Sequence, residues 1–170
     1  MRQNKTQRLT ILTMLLGMGI IINMVEPEFI IGLPGIKLGL ANVLGLIAYY
    51  FYGPKELFIV NGMRVLLASL LRGTFLVGTG FWLALMGTLM SCIAIILADK
   101  LTKMTPIGVS TASATFHNIG QIFIIVFITN MPLMITWLPI MLVTGIPTGI
   151  LTGYFVKTIV ERFKKNNFRS

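Results

Sequence analysis

Acids are scarce in this chain, and so are the residues on which most enzyme chemistry depends. There are five Asp plus Glu among 170 residues, one His and one Cys. The only aspartate is Asp99, so no Asp-rich cluster can clamp magnesium on a diphosphate. Cys92 lies within an apolar run, which excludes an intrachain disulfide and a thiolate metal site, and no metal or other cofactor is expected. No Gly-x4-Gly-Lys-Ser/Thr loop is present, so the chain has no phosphate-binding loop of its own for ATP. A basic, aromatic-interleaved stripe is also missing, so the net charge of +9 does not indicate nucleic acid.

What the chain has in abundance is hydrocarbon. Its residues are 55% hydrophobic and 11% charged. A water-soluble domain this small has too much surface to cover with so few polar groups, whereas lipid tolerates such a composition. Apolar runs broken by Pro, Gly and charge predict an all-α, polytopic integral membrane protein, a single transmembrane domain over residues 1–170. About six spans are expected: Leu9 to Val25, Leu38 to Tyr52, Glu56 to Leu71, Gly80 to Ala98, Ile107 to Thr129 and Pro132 to Val156. The first run follows Arg2, Lys5 and Arg8 as a signal peptide would. It ends in Asn23-Met24-Val25-Glu26-Pro27-Glu28 without a small-residue cleavage site, and is read as a retained span.

The bases set the orientation. With the N-terminus inside, the inner flanks hold Arg2, Lys5, Arg8, Lys55, Lys100, Lys103, Lys157, Arg162, Lys164, Lys165 and Arg169. The outer flanks hold only Lys37 and Arg72. The positive-inside bias predicts a cell-membrane protein with both termini cytoplasmic, and it places Glu26 and Glu28 outside.

Small residues mark close helix packing. Gly145, Gly149 and Gly153 form a ridge on the last span, with Pro147 expected to kink it. Gly80, Ala84, Thr88 and Ser91 form a similar row on the fourth span, and Thr13 with Gly17 on the first. Such rows serve packing within a bundle; the row at Thr13 and Gly17 is the candidate for docking a partner.

Polar groups at membrane depth carry the functional information, because each costs a few kcal/mol unless it faces an interior or a cavity. With Asn61 at zero, Arg64, Ala68 and Arg72 project at about −60°, −20° and +20° on a helix, one narrow face. Arg64 keeps its charge, yet no acid is expected at its depth. Either backbone carbonyls and water cap it, or it meets an anionic ligand. On the fifth span Ser110, Ala114, His117 and Gln121 share a face, with Asn118 beside it. A lone His there reads first as a hydrogen-bonded structural group, and no metal is expected. The loop Gly32-Leu33-Pro34-Gly35-Ile36-Lys37 and the entry at Asn42 read either as an ordinary loop with Lys37 snorkelling or as an outer lid. In the second reading the lid covers a pocket of Asn42, Asn61, Arg64, His117 and Gln121, suited to a small anionic or zwitterionic molecule with an apolar part.

Gly-Leu-Pro-Gly-Ile-Lys-Leu-Gly-Leu-Ala-Asn at 32–42, Tyr-Gly-Pro-Lys-Glu at 52–56, Arg64 and Thr-Phe-His-Asn-Ile-Gly-Gln at 115–121 resemble the Gx transporter family. Its members are often labelled heptaprenyl diphosphate synthase component I. Short spans and a Gly-Pro turn after the second are also similar to the substrate-binding S components of energy-coupling factor transporters. That likeness implies a pocket near the outer face, a coupling membrane subunit and two cytoplasmic ATPases. Where S components carry two alanines four apart on the first helix, this chain has Thr13 and Gly17. The synthase label implies instead a soluble prenyl synthase or a redox protein as partner. With one aspartate the chain cannot be the catalytic subunit of such a synthase, and a non-catalytic accessory role stays open.

Overall fold

The computed structural model describes residues 5–26 and 40–167, and every regular element among them is helical. Six α-helices follow in order: α1 Lys5–Val25, α2 Asn42–Tyr52, α3 Pro54–Leu71, α4 Thr79–Thr102, α5 Pro106–Thr129 and α6 Leu138–Asn167. A 3-10 turn, Pro132–Trp137, leads into α6.

The breaks have local causes. Gly53, with φ of 109°, ends α2 in a backbone region open to glycine, and Pro54 starts α3 at the position where a missing N–H is harmless. Thr105 caps α5 by accepting from the Gly108 N–H, with Pro106 in its first turn. Asn130 takes the left-handed conformation that stops the same helix at its other end. α6 runs as one helix through Pro147.

The bundle has the six helices expected, and among the described residues four stretches qualify as spans by length and composition, fewer than the six expected. α1, α4, α5 and the stretch Pro132–Phe163 are long and apolar enough to cross a membrane. α2 has 11 residues, about 16 Å of helix against the roughly 30 Å of a hydrocarbon core. α3 has 18 residues but carries Lys55, Glu56 and Arg64. α2 is mostly buried in the bundle, whereas α3 buries one face and exposes an apolar one that includes Ile59, Met63 and Leu70. Seven residues of α2, from Asn42 to Tyr49, are buried, and the buried face of α3 includes Asn61, Arg64 and Ala68.

The helices alternate in direction. At one end the Arg8 guanidinium pairs with Glu56 and lies over the Tyr52 ring. At that end also the Tyr49 hydroxyl donates to Asp99 at 2.7 Å, and Phe51 stacks on Phe163. The start of α1 and the last turns of α6 therefore share one end, which also carries Lys55, Lys100, Lys103 and Arg162. At the other end Arg72 donates to the Asn23 carbonyl, and the Leu40 N–H donates to Glu26 at 2.9 Å.

The main core joins α2, α3, α4, α5 and α6 through residues such as Leu46, Leu57, Ile95, Val109 and Val156. A smaller cluster of Leu83, Ile122, Ile125 and Met141 lies toward the other end. Outside, large apolar side chains face away from the bundle: Met14, Met18 and Ile21 on α1, Phe123 and Phe127 on α5, and Val143 and Leu151 on α6. Apolar surface this extensive is stable only against lipid or another protein. This is a membrane protein.

Candidate functional site: a buried arginine and its hydrogen-bonded chain

Arg64 is the largest fully buried side chain, with 2% of its surface exposed. A guanidinium in a bundle core must find acceptors, since each lost hydrogen bond to a charged group costs about 1.5–3 kcal/mol. Its Nη2 donates to Asn42 Oδ1 at 2.6 Å and to Thr88 Oγ1 at 3.1 Å. α2 and α4 thus each supply one acceptor. The stem of Arg64 runs beneath α1, where a Cβ on Gly19 would stand 3.2 Å from Arg64 Cδ.

From Asn42 the chain continues across the bundle. Asn42 Nδ2 lies 2.9 Å from His117 Nδ1, and Gln121 lies 3.1 Å from His117 Nε2. His117 and Gln121 meet because four residues on a helix bring side chains to one face. The ring has room because position 87 is glycine: a Cβ there would stand 2.8 Å from His117 Cε1.

These groups border a small cavity lined by Asn23, Glu26, Arg64, Ala84, Thr88, His117 and Gln121. Its volume is about 10 Å³, room for roughly one water molecule. Arg64 Nε and Gln121 Oε1 are buried and make no hydrogen bond to the described residues. A second water-sized space lies on the other side of Asn42, lined by Asn42, Leu46, Ser110, Ser113 and Thr152. Ser110 and Thr152 bridge α5 to α6 there at 3.0 Å.

Four of the expected site residues, Asn42, Arg64, His117 and Gln121, form this one connected chain. Two others lie nearby and face elsewhere. Asn61 sits under Gly45, where any Cβ would clash at 2.2 Å, and contacts Cys92 Sγ at 3.4 Å. Asn118 turns toward α6, donating to the Met141 carbonyl at 2.8 Å across the gap left by Gly145. Lys37 lies outside the described residues, as does most of the Gly-Pro loop. Thr13 and Gly17 are exposed on the outer side of α1.

Two placements correct the expectation drawn from the sequence. Glu26, at the end of the bundle away from Arg8, is buried rather than solvated: it is 5% exposed and lines the same cavity as Arg64. An acid therefore does lie within reach of the arginine's field. The reason is that α1 ends at Val25, so Glu26 turns inward toward the first turn before α2. Thr88, read only as a packing residue, is a direct partner of Arg64. Its place in the row Gly80, Ala84, Thr88 was the available signal, because that row is the inward face of α4.

The four acids among the described residues do not form a clamp for magnesium and diphosphate. Glu56 serves Arg8, Asp99 accepts from Tyr49, Glu161 lies 3.8 Å from Lys157 and Glu26 accepts from Leu40. Among the described residues no group of three His, Cys, Asp or Glu could hold a metal ion.

Comparison with curated proteins and with solved structures gives no match. Residues 15–159, most of the chain, match a family model described as heptaprenyl diphosphate synthase component I. That stretch contains Asn42, Arg64, Thr88, His117 and Gln121, the whole hydrogen-bonded chain, and the protein belongs to the heptaprenyl diphosphate synthase component I family.

Proposed function

We propose that this protein is a membrane-embedded binding subunit that takes a small anionic or amphipathic molecule at Arg64, in the manner of a transporter S component. The observation that carries the reading is Arg64 itself. It is fully buried and permanently charged, its Nε has no acceptor among the described residues, and its side chain lines a water-sized cavity. A purely structural polar core tends to satisfy its groups internally; this one leaves the Arg64 Nε–H donor and the Gln121 Oε1 acceptor without partners among the described residues, on two side chains that line the cavity.

The cavity is water-sized, so a larger ligand requires a wall to move. α1 is the wall held most weakly. It packs against α2 and α3 alone among the described helices, and Gly19 is its one buried residue. In this reading the basic end faces the cytoplasm, and Thr13 with Gly17 dock a coupling membrane subunit served by cytoplasmic ATPases. Lys37 joins Asn42, Asn61, Arg64, His117, Asn118 and Gln121 around the open pocket.

The test is native mass spectrometry of the solubilised protein from its own membrane, compared with Arg64→Ala. The expected result is a retained small molecule that the variant loses. An identical ligand-free mass for both, with coupling partners present, rejects the reading.

The family description favours a second reading, a non-catalytic membrane partner of a soluble prenyl synthase in isoprenoid quinone synthesis, or of a redox protein that uses the quinone. One aspartate, hydrogen-bonded to Tyr49, leaves catalysis to the partner. It predicts co-purification with that partner and altered quinone tails on deletion; unchanged quinones remove it.

A further inference from the structure

The hydrogen bonds around Arg64 have a direction, and that direction propagates. A guanidinium only donates, so the Asn42 atom 2.6 Å from Arg64 Nη2 must be the carbonyl oxygen. The Asn42 NH2 therefore faces His117 Nδ1 at 2.9 Å, and Nδ1 must accept. A neutral imidazole with an accepting Nδ1 carries its proton on Nε2. The end of the Gln121 amide that lies 3.1 Å from Nε2 must then be its oxygen rather than its nitrogen, since an N–H needs an acceptor. Turning the Gln121 amide gives its buried Oε1 a donor and aims its NH2 where that unpartnered oxygen stood.

The geometry points to Asn42 as a positioning residue: through it Arg64 sets His117 as the Nε2–H tautomer and turns Gln121 so that its NH2 joins Arg64 Nε–H in a cavity built to receive an oxyanion. The inference rests on the Arg64 site proposed above and adds the chemical class of group that site selects. Arg64 and Gln121 line the cavity from α3 and α5, and with the amide so turned Arg64 Nε–H and the Gln121 NH2 are the two donors left without a partner among the described residues. On the opposite wall Glu26 Oε1 already accepts from the Leu40 N–H, which stiffens that carboxylate against α1's end. A carboxylate or phosphate oxygen satisfies both donors at once, and those two hydrogen bonds must outweigh its repulsion from the Glu26 carboxylate on the opposite wall; an ammonium satisfies neither donor.

The chain has one histidine, so [15N]histidine labelling of the full protein in nanodiscs yields a single imidazole reporter. The wild type is expected to show a protonated Nε2 and a bare Nδ1. A proton on Nδ1, given to the Gly87 backbone that also contacts the ring, overturns the inference. Asn42→Asp offers acceptors to both Arg64 and Nδ1, and is expected to move the proton to Nδ1; an unmoved proton in the folded variant contradicts the relay. Gln121→Glu, close in shape, is expected to keep Nε2–H.

The ligand arm uses sodium formate, the smallest carboxylate, against ammonium chloride. Formate is expected to shift the Nε2 signal saturably in the wild type, and the shift is lost in Gln121→Glu. A saturable response to ammonium, or to neither salt, rejects an oxyanion site. The two proposals fail separately. A retained ligand that depends on Arg64 but lacks an acceptor group sinks only the oxyanion assignment. A formate response in a protein whose native ligand is the same with and without Arg64 sinks the binding-subunit reading instead.

Discussion

Two rows of small residues, alike in sequence, have opposite surroundings. Gly145, Gly149 and Gly153 on α6 bring that helix onto α5 so closely that a Cβ on Gly153 would stand 2.6 Å from Ile107 Cα. A Cβ on Gly149 would stand 2.8 Å from Thr111 Cα, backbone against backbone. Gly87 and Gly120 cross in the same way between α4 and α5, where a Cβ on Gly120 would meet the Met86 carbonyl at 2.9 Å. Gly17 on α1, by contrast, has nothing within 4 Å of an added Cβ. The α4–α5–α6 half is interlocked by glycine; α1 is attached by polar contacts at its two ends, by Gly19 over Arg64 and by the partly buried Leu15 and Ile22 against the main core. Spacing reveals that a helix can be approached closely, and only the fold reveals whether something already has.

Substitutions separate the two halves, from the largest expected effect to the smallest. Gly153→Leu drives a side chain into the α5 backbone and is expected to cost about 3 kcal/mol or more, read as a lower midpoint in denaturant unfolding followed by tryptophan fluorescence. Gly87→Ala pushes on the His117 ring and is expected to cost about 2 kcal/mol in the same assay, with a displaced His117 nitrogen signal. Thr88→Val removes one of the two side-chain acceptors of Arg64, leaving Asn42, and is expected to cost about 1.5 kcal/mol, with the loss of any retained ligand in native mass spectra. Arg8→Ala unpins the start of α1 from Glu56 and Tyr52. It is expected to cost about 1 kcal/mol because half of the Arg8 side chain is exposed, with faster amide exchange confined to α1. Gly17→Leu is expected to leave stability within about 0.5 kcal/mol, and its effect is on association with a membrane partner alone. Equal losses for Gly17→Leu and Gly153→Leu would erase the contrast between the halves.

Much of the architecture was legible because lipid makes few demands on a sequence beyond apolar length. α1, α4 and α5 begin and end within four residues of the expected spans, set by Pro106, Asn130 and the charged flanks. The polar faces of α3 and α5 were legible for the same reason: helical periodicity alone puts Arg64 with Asn61 and His117 with Gln121. Hydropathy failed at α2, where an apolar run spends only 11 residues as helix, because burial inside a bundle reads like burial in lipid. It failed again at Glu26, since a carboxylate beyond a span's end reads as solvated when its first neighbours are unknown. Which amides would share the Arg64 chain was not legible either. Asn61 and Asn118 have the same chemistry as Asn42, and it is the glycines facing them, Gly45 and Gly145, that seat them elsewhere.

The claim on which the rest stands is that the outer faces of these helices meet lipid, which leaves the polar residues no place but the interior. A nitroxide on Met18→Cys, in a Cys92→Ala background, reports on the middle of the exposed face of α1. Reconstituted in bilayers, it should collide often with oxygen and rarely with a water-soluble nickel chelate, the reverse of a label on Lys103→Cys. Equal access of the chelate to both positions would put α1 in water and contradict the account.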